Sequence, residues 1–345
     1  MKKYLSILFV VLTVLLVSCG SEKQNPQEKE STNKDVANES KTNNKVAPEN
    51  EMENTFDFKL ILQKGDNYYI TVTNDEKITN DNGQQKISAR QINKISYNFN
   101  ITDIDEYGNY NVKIKITNVQ KSLEVSNGQK IEFNSSSPKG KNETADIKSL
   151  RSLIGKTYSL KLTSDGKVIE VKGNDKLMDK VVKESGVDDK TKDALKMALS
   201  QEFGSESIIR YYERIFNYID GNHHKSGDKW QKVYDINIGL PLKVVSHYSL
   251  TNVTNDNFAI SMDAKLNNPA GKQKQEVKNF IVTSDISGKQ SGKILLDRTT
   301  GFLSKNTVNQ EINAVETRVL KDDKTKKQTL KTNKTAKYIF QVTKK

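Results

Sequence analysis

Three histidines are the first residues whose chemistry would suit metal binding or acid–base catalysis. His223 and His224 are adjacent, and His247 stands alone. No acid or cysteine sits at a metal-ligand spacing from them, and the one cysteine of the chain is at position 19. We therefore predict a solvated or structurally satisfied pair, with no metal site. For the same reason we expect no Ser/His or Cys/His catalytic arrangement.

Two other segments match cation- or phosphate-binding motifs in part. Residues 103–108 (DIDEYG) begin like a calcium loop, but Ile114 occupies the position where a bidentate glutamate is required. Residues 288–294 (GKQSGKI) are one residue short of a phosphate-binding loop and lack its final Ser or Thr. We interpret the first as a hairpin turn. No cofactor and no catalytic residue are predicted, although carboxylate pairs formed across strands are not visible in a sequence.

The cysteine ends a typical secretory leader. Lys2 and Lys3 precede an apolar stretch, Leu5–Val17, which is shorter than the ~18 residues of a permanent membrane-spanning helix. Residues 16–19 (LVSC) resemble the bacterial lipobox. That resemblance implies a diacylglyceryl group on the Cys19 thiol, cleavage between Ser18 and Cys19, and usually a further fatty-acyl chain such as palmitate on the new amino group.

A lipid on Cys19 would be the membrane attachment of the mature protein. Two or three acyl chains anchor stably, since each buried CH₂ contributes ~0.8 kcal/mol. We expect a bacterial cell-envelope protein on the outer face of the cytoplasmic membrane or on the outer membrane. Residues 19–54 have almost no apolar content, so we predict a disordered tether after the signal peptide of residues 1–18.

The remainder of the 345-residue chain alternates between polar and apolar residues. Residues 111–117 (NVKIKIT) and 258–266 (FAISMDAKL) are typical of half-buried strands. One solvent-exposed face on every strand favours an antiparallel sheet. Residues 164–166 (SDG) predict a hairpin turn. The fold class expected is α+β, with a large, mostly antiparallel sheet.

Two β halves, residues 55–173 and 222–345, repeat the same order of elements. Residues 65–68 (GDNY) match 227–230 (GDKW), and the strands around residue 101 match those around residue 250. Downstream, Gly155–Lys156 and the turn at Gly166 match Gly292–Lys293 and the turn at Gly301. We therefore predict an internal duplication, against the alternative that any β-meander supplies such turns.

The period changes to that of helices between the halves. Residues 174–221 contain three apolar helical faces punctuated by Gly186, Gly204 and Gly221, with Asp188 as the N-cap of the second helix. The third helix is predicted to include Ile208 to Ile219. These amphipathic helices form an insert expected to cover one face of the sheet.

The repeated Gly-Asp-aromatic strand start and the Gly-containing hairpins resemble a family of uncharacterised bacterial lipoproteins of unknown function. The resemblance covers most of residues 56–342 and implies no functional residue beyond Cys19. A lipid tether, a curved sheet and covering helices are also loosely similar to envelope lipid carriers of the lipoprotein-localisation type. That similarity implies a hydrophobic ligand between sheet and helices.

Basic residues exceed acidic ones by 55 to 43, so the net charge is +12. The excess is greatest in residues 321–345. Scattered lysines are usually solvated surface; as partners, anionic lipid head groups or envelope polymers suit an exported protein better than nucleic acid. The oligomeric state is left open.

Two functions follow as hypotheses. The first is a non-enzymatic lipoprotein that binds a hydrophobic ligand, with Tyr211, Tyr212 and Phe216 of the helical insert as lid residues. The alternative is a structural or assembly lipoprotein that contacts a protein or a polymer. A partial cover of the sheet by the helices would leave an apolar site and favour the first.

Overall fold

The computed structural model describes residues 55–140, 143–237, 241–268, 273–277 and 279–345. The predicted signal peptide, Ser18, Cys19 and the tether up to residue 54 lie outside the described residues. No helix within the described ranges has the length and apolar content that a membrane span requires.

The described ranges contain fifteen strands and four helices. The strands are β1 (Phe56–Asp57), β2 (Asn67–Asp81), β3 (Lys86–Ile104), β4 (Tyr110–Val125), β5 (Lys130–Asn134), β6 (Thr157–Leu162), β7 (Val168–Lys172), β8 (His223–His224), β9 (Lys229–Asn237), β10 (Pro241–Val253), β11 (Asn257–Asn267), β12 (Gln273–Val277), β13 (Phe280–Asp297), β14 (Leu303–Leu320) and β15 (Lys327–Lys344). The helices are α1 (Ala145–Ser152), α2 (Asn174–Ser185), α3 (Asp189–Phe203) and α4 (Ser205–Ile215).

One large antiparallel sheet contains thirteen of these strands. Its order is β7-β6-β4-β3-β2-β15-β14-β13-β11-β10-β9, with β5 added to β4 and β12 added to β13. The two remaining strands, β1 and β8, form a small pair of their own. The predicted fold class is confirmed: a mostly antiparallel sheet whose halves are separated in sequence by helices.

The hydrogen bonds at the strand starts are equivalent in the two halves. In the first half, the N–H of Ile101 donates to the carbonyl of Asp66 at 2.9 Å. In the second half, the N–H of Leu250 donates to the carbonyl of Asp228 at 3.0 Å. The repeated GD motif thus closes the same loop onto the same strand in both halves.

A bulge also occurs at the same place in each half. The register of β3 with β4 shifts at Thr102, and that of β10 with β11 shifts at Thr251. Each threonine hydroxyl donates to the carbonyl of the opposite strand, Asn111 at 2.9 Å and Ala259 at 3.0 Å. Both halves thus have an extra residue at the same position, with the same side-chain hydrogen bond. This agreement favours an internal duplication over a chance match of two β-meanders.

One proposed correspondence is wrong. Gly155 lies in the turn before β6 with φ of +79°, whereas Gly292 lies inside β13. A Cβ on Gly292 would lie 2.8 Å from the Thr307 carbonyl oxygen of the adjacent strand. Position 155 favours glycine because the turn is left-handed, and position 292 favours it because two strands approach closely. The two positions therefore do not align. The near match to a phosphate-binding loop at 288–294 is likewise part of this strand.

Strand β15 joins the two halves into one sheet. It pairs with β2 over Lys331 to Lys344 on one side and with β14 on the other. The last strand of the second half therefore completes the edge of the first, and the two halves share a continuous hydrogen-bonded surface.

The segment of residues 58–62 connects the two halves at one end of the sheet. The N–H of Leu60 donates to the Ser164 carbonyl at 2.7 Å, and the next N–H, of Ile61, donates to the Thr300 carbonyl at 2.8 Å. These carbonyls belong to equivalent hairpin turns, β6–β7 and β13–β14. The Tyr110 hydroxyl donates to the Leu60 carbonyl at 2.7 Å.

The core lies beneath this segment, at the end of the sheet that we call the closed end. Aromatic and aliphatic side chains from both halves meet there, including Tyr68, Phe99, Ile101, Tyr110, Leu250, Phe258, Leu296 and Phe302. Strands β2, β3, β13, β14 and β15 have 15 to 19 residues each and continue past this core. Their outer parts form a concave face with half-buried side chains.

The helical insert begins as predicted but ends earlier. The Asp188 side chain accepts from the Thr191 N–H and caps α3, as the sequence indicated. Helix α4 stops at Ile215, not at Ile219. The chain leaves the helix so that Tyr218 enters the core, where its hydroxyl donates to the carbonyl of Gly301 at 3.1 Å.

Candidate ligand-binding cavity

A cavity of about 1970 Å³ lies between the concave face of the sheet and the helical insert. The outer parts of β2, β3, β13, β14 and β15 form its floor. Helices α3 and α4 form its roof, with α1 at one side. The insert therefore covers the sheet only in part.

Most of the surface that lines the cavity is apolar. On neighbouring strands, Ile78, Ile286, Ile312, Ala314 and Leu330 all face the cavity. The strand registers place Ala314 opposite Ile286, and they place Ile312 and Ile78 on either side of Lys334. Most are only half-buried by the protein itself, so a ligand here would remove further apolar surface from water.

A polar cluster interrupts this floor. The Lys334 ammonium donates to Glu76 Oε1 at 3.0 Å, and the Tyr338 hydroxyl donates to the same oxygen at 2.9 Å. Glu76 is only 1% exposed. Burial and then the Glu76 charge raise the pKa of Tyr338 well above its ordinary value, so the phenol stays neutral. A buried carboxylate with an ammonium and a phenol as donors is a satisfied group that needs no ligand.

Helix α3 contributes few buried side chains to the roof. This helix packs chiefly on α2 and α4, and its buried side chains are Leu199 and Phe203. Leu195 and Ala198 face the cavity and are half-buried. Gly204 separates α3 from α4, and a Cβ there would lie 2.3 Å from the Ser200 carbonyl oxygen. The junction consequently requires glycine for close packing and not for a positive φ.

The three predicted lid residues occupy different environments. Tyr211 lines the cavity from α4 and is half-buried, with its ring against Phe340 of the floor. Phe216 also lines the cavity but is buried beside Gly166. Tyr212 is enclosed in the core, where its hydroxyl lies 3.2 Å from that of Tyr158. Tyr211 is the aromatic of the three that is placed to touch a ligand without also filling the core.

Three charged side chains that the sequence did not single out also face the cavity. They are Lys121 of β4, Asp146 of α1 and Glu202 of α3. Burial lowers the pKa of Lys121 and raises the pKa values of Asp146 and Glu202, and the opposite charge of the partners works against each shift. The signal missed in the sequence is a lysine at an inward-facing position of an alternating strand.

The histidine pair belongs to a structural connection at the closed end. His224 Nε2 lies 2.9 Å from Asp220 Oδ1, and the imidazole packs on Trp230 with ring centroids 4.2 Å apart. Although burial opposes ionisation, hydrogen bonds from His224 and Asn222 hold the pKa of Asp220 below its ordinary value. Sequence spacing did not reveal Asp220 as the partner.

No metal-binding group is formed by this pair. Across the described ranges, no three His, Cys, Asp or Glu side chains come together as metal ligands. Residues 103–108, which begin like a calcium loop, form a turn in which Asp105 accepts from the N–H groups of Tyr107 and Asn109.

Comparison with known proteins gives a family and two kinds of distant structural neighbour. Residues 107–303, from the turn before β4 to the start of β14, match DUF6263, a family of unknown function. No curated protein matches the sequence.

The structural neighbours are remote. A structure of lipid–protein interactions in lipovitellin aligns with 82% of this chain at 11% identity and a TM-score of 0.42, and this chain spans about a quarter (26%) of its length. Pseudomonas aeruginosa OccK7 (OpdD) and OccK2 (OpdF) align with 81% of this chain and with 100% and 98% of their own. Both are 6% identical, with TM-scores of 0.19 and 0.18. None of these scores establishes a common fold.

Proposed function

The chain belongs to DUF6263, a family whose function is unknown, and we propose that it is a lipid-anchored envelope protein that binds a hydrophobic ligand. The observation that carries this proposal is the cavity of about 1970 Å³ under the helical insert. Drug-sized pockets have ~300–1,000 Å³, so this space suits a molecule with long apolar chains.

The walls support an apolar ligand over a polar one. The floor combines Ile78, Ile286, Ile312 and Leu330 from strands that are adjacent in the sheet. At ~25 cal/mol per Å², covering several hundred Å² of such surface would contribute several kcal/mol to binding. A chain anchored by lipid at Cys19 would hold this cavity beside the bilayer from which such a ligand comes.

Binding rather than catalysis is the role proposed. Among the acids and bases at the cavity wall, Lys334 is paired with Glu76 and Lys167 with Asp165. Lys121, Asp146 and Glu202 form no ion pair within 4.0 Å with one another. A nucleophile paired with a histidine base is not found among the described residues that line the cavity. The protein would therefore store, present or transfer its ligand unchanged.

Native mass spectrometry of the purified chain tests the proposal. We expect co-purified lipid, released by organic extraction and identified by its mass. In Ala314→Trp an indole fills the floor and should lower lipid occupancy. Asn313→Trp is the matched control, because the neighbouring residue is exposed and faces away from the cavity. A wild-type protein without bound lipid would contradict the proposal.

An alternative function is supported by the outer surface of β15. Lys327, Lys331 and Lys337 are exposed at odd-numbered positions of the strand, on the face opposite the even-numbered residues that line the cavity. Such a row would suit an anionic polymer of the envelope. A protein that binds no lipid but sediments with an anionic polymer at low salt would favour this structural role.

A further inference from the structure

Lys121, Asp146 and Glu202 form a charged group at one wall of the cavity. Each comes from a different element, since they lie on β4, α1 and α3 respectively. All three line the cavity, and Lys121 interacts electrostatically with both acids. The group is a product of the tertiary fold, because the three residues are far apart in the sequence.

Lys121 is unusual because it is buried without a direct partner. The residue is only 9% exposed. Among the described residues, neither a hydrogen bond nor an ion pair within 4.0 Å joins its ammonium to another group. Other lysines at this cavity do have partners: Lys334 bonds Glu76 at 3.0 Å, and Lys167 bonds Asp165 at 2.8 Å. The ammonium reaches the cavity and is not fully enclosed by protein. A bound anionic group would give it a charge-assisted hydrogen bond there.

The two acids restrict what that group can be. Asp146 and Glu202 interact electrostatically with Lys121, but neither carboxyl forms an ion pair with its ammonium within 4.0 Å. A purely anionic ligand would meet two carboxyl groups beside one ammonium. A purely cationic ligand would meet the ammonium. A group with both charges satisfies all three side chains.

We propose that Lys121, Asp146 and Glu202 hold the head group of a zwitterionic amphiphile. Its phosphate or carboxylate pairs with the Lys121 ammonium, and its own ammonium pairs with Asp146 and Glu202. Its chains extend along the apolar floor at Ile78 and Ile312. This inference rests on the proposed function and adds the chemical class of the ligand.

The burial of the acids agrees with this assignment. Burial raises the pKa values of both Asp146 and Glu202, because a carboxylate is less well solvated there than in water. An ammonium placed between them would restore a counter-charge to each.

Three lipids with identical acyl chains test the head-group site on the full-length chain in detergent solution. They are phosphatidylethanolamine, phosphatidylglycerol and a diacyl trimethylammonium lipid, which are zwitterionic, anionic and cationic. Native mass spectrometry measures the fraction of protein carrying each. We expect phosphatidylethanolamine to bind about tenfold more tightly than either of the others, the size of one charge-assisted hydrogen bond.

Two variants test whether Lys121 and Glu202 cause the preference for phosphatidylethanolamine. Lys121→Met keeps the length of the side chain and should reduce phosphatidylethanolamine binding about tenfold, and Glu202→Gln should reduce the preference over phosphatidylglycerol. Lys167→Met is the control, because that lysine lines the cavity but its side chain is 71% exposed. A thermal melt of each variant, matched to wild type, establishes that the fold is intact.

The source of the zwitterion is tested with glycerophosphoethanolamine, which lacks acyl chains. It should not displace the lipid at equal concentration; equal displacement would overturn the assignment to an amphiphile. Equal binding of the three lipids, or unchanged binding in both Lys121→Met and Glu202→Gln, would overturn the head-group site and leave the hydrophobic cavity in place. Absence of binding for all three lipids would instead overturn the proposed function together with the site.

Discussion

Gly166 lies directly against Phe216, so that a Cβ on the glycine would be 2.5 Å from the Cβ of the phenylalanine. Gly166 is in the hairpin turn between β6 and β7, and Phe216 follows α4. The contact fixes the end of the helical insert to the sheet at the closed end. The same glycine has φ of +80°, which L side chains rarely adopt.

Gly166→Ala should therefore destabilise the folded protein by more than the backbone strain of a positive φ alone. We expect a loss of ~2–5 kcal/mol in the free energy of unfolding, from a left-handed alanine plus overpacking against Phe216. Gly108→Ala is the control, with φ of +77° and no atom within 4 Å of its Cβ, and should cost ~1–2 kcal/mol. Urea denaturation measures both. Equal losses would contradict the tight contact.

Tyr211 and Tyr212 are adjacent but should respond differently to alanine. Tyr212→Ala removes a side chain that is 3% exposed and should cost ~3–5 kcal/mol. Tyr211→Ala should cost ~1–2 kcal/mol, because its ring is partly open to the cavity. Binding of an apolar fluorescent dye should fall in the Tyr211 variant while its melting temperature stays near that of wild type. A core-like loss of stability at Tyr211, with dye binding unchanged, would remove it from the ligand site.

Asp105 should make stability depend on acid pH. Hydrogen bonds from Asn109 lead the effects that lower the pKa of Asp105 to about 2, from an ordinary value of 3.8. The folded state therefore holds fewer protons than the unfolded state between these values. The stabilisation is complete above pH ~4 and is lost as the pH falls towards 2.

Asp105→Asn checks the sign of this effect. The urea midpoint of the variant should lie below that of wild type at pH 6, and the two should converge as the pH approaches 2. Glu106→Gln, an exposed acid in the same turn, is the control and should show no such convergence. A gap that stays constant with pH would mean that the carboxylate charge does not stabilise this turn.

Cys19 should be the site of lipid attachment. In Cys19→Ala no other thiol exists to accept an acyl group, so metabolic labelling with a fatty-acid probe should disappear and an unprocessed precursor should accumulate. Cleavable leaders without a lipobox do not depend on a cysteine. Label retained in the variant would rule out the lipobox assignment.

The sheet could be predicted because its signal is local. Alternation along residues 111–117 places Val112, Ile114 and Ile116 on one face, and all three are buried. The glycine turns at Gly166 and Gly301 have the positive φ that their positions in the hairpins require. Repeated motifs such as GD at 65 and 227 also indicated the common arrangement of the two halves.

The cavity could not be predicted because it depends on distances between elements. Whether amphipathic helices cover a sheet completely is decided by the length of the strands beneath them, and the 18-residue extent of β13, β14 and β15 exceeds what the insert spans. Lys121, Asp146 and Glu202 are far apart in sequence and belong to three elements. Asp220 was missed for another reason. Its hydrogen bond to His224 depends on a turn that follows Ile215, whereas the helical periodicity predicted a helix as far as Ile219.

The segment of residues 58–62 lies on the path by which a force applied to the chain before Thr55 would reach the large sheet. A pull on the chain before Thr55 reaches the two-residue pairing of β1 with β8 first, and then the backbone bonds of Leu60 and Ile61 to the turns of both halves. Because these two hydrogen bonds come from consecutive residues and go to different halves, such a force would act on both halves at once. If the chain is held by lipid at its N-terminus, this segment is the point where drag on the domain meets the resistance of the membrane.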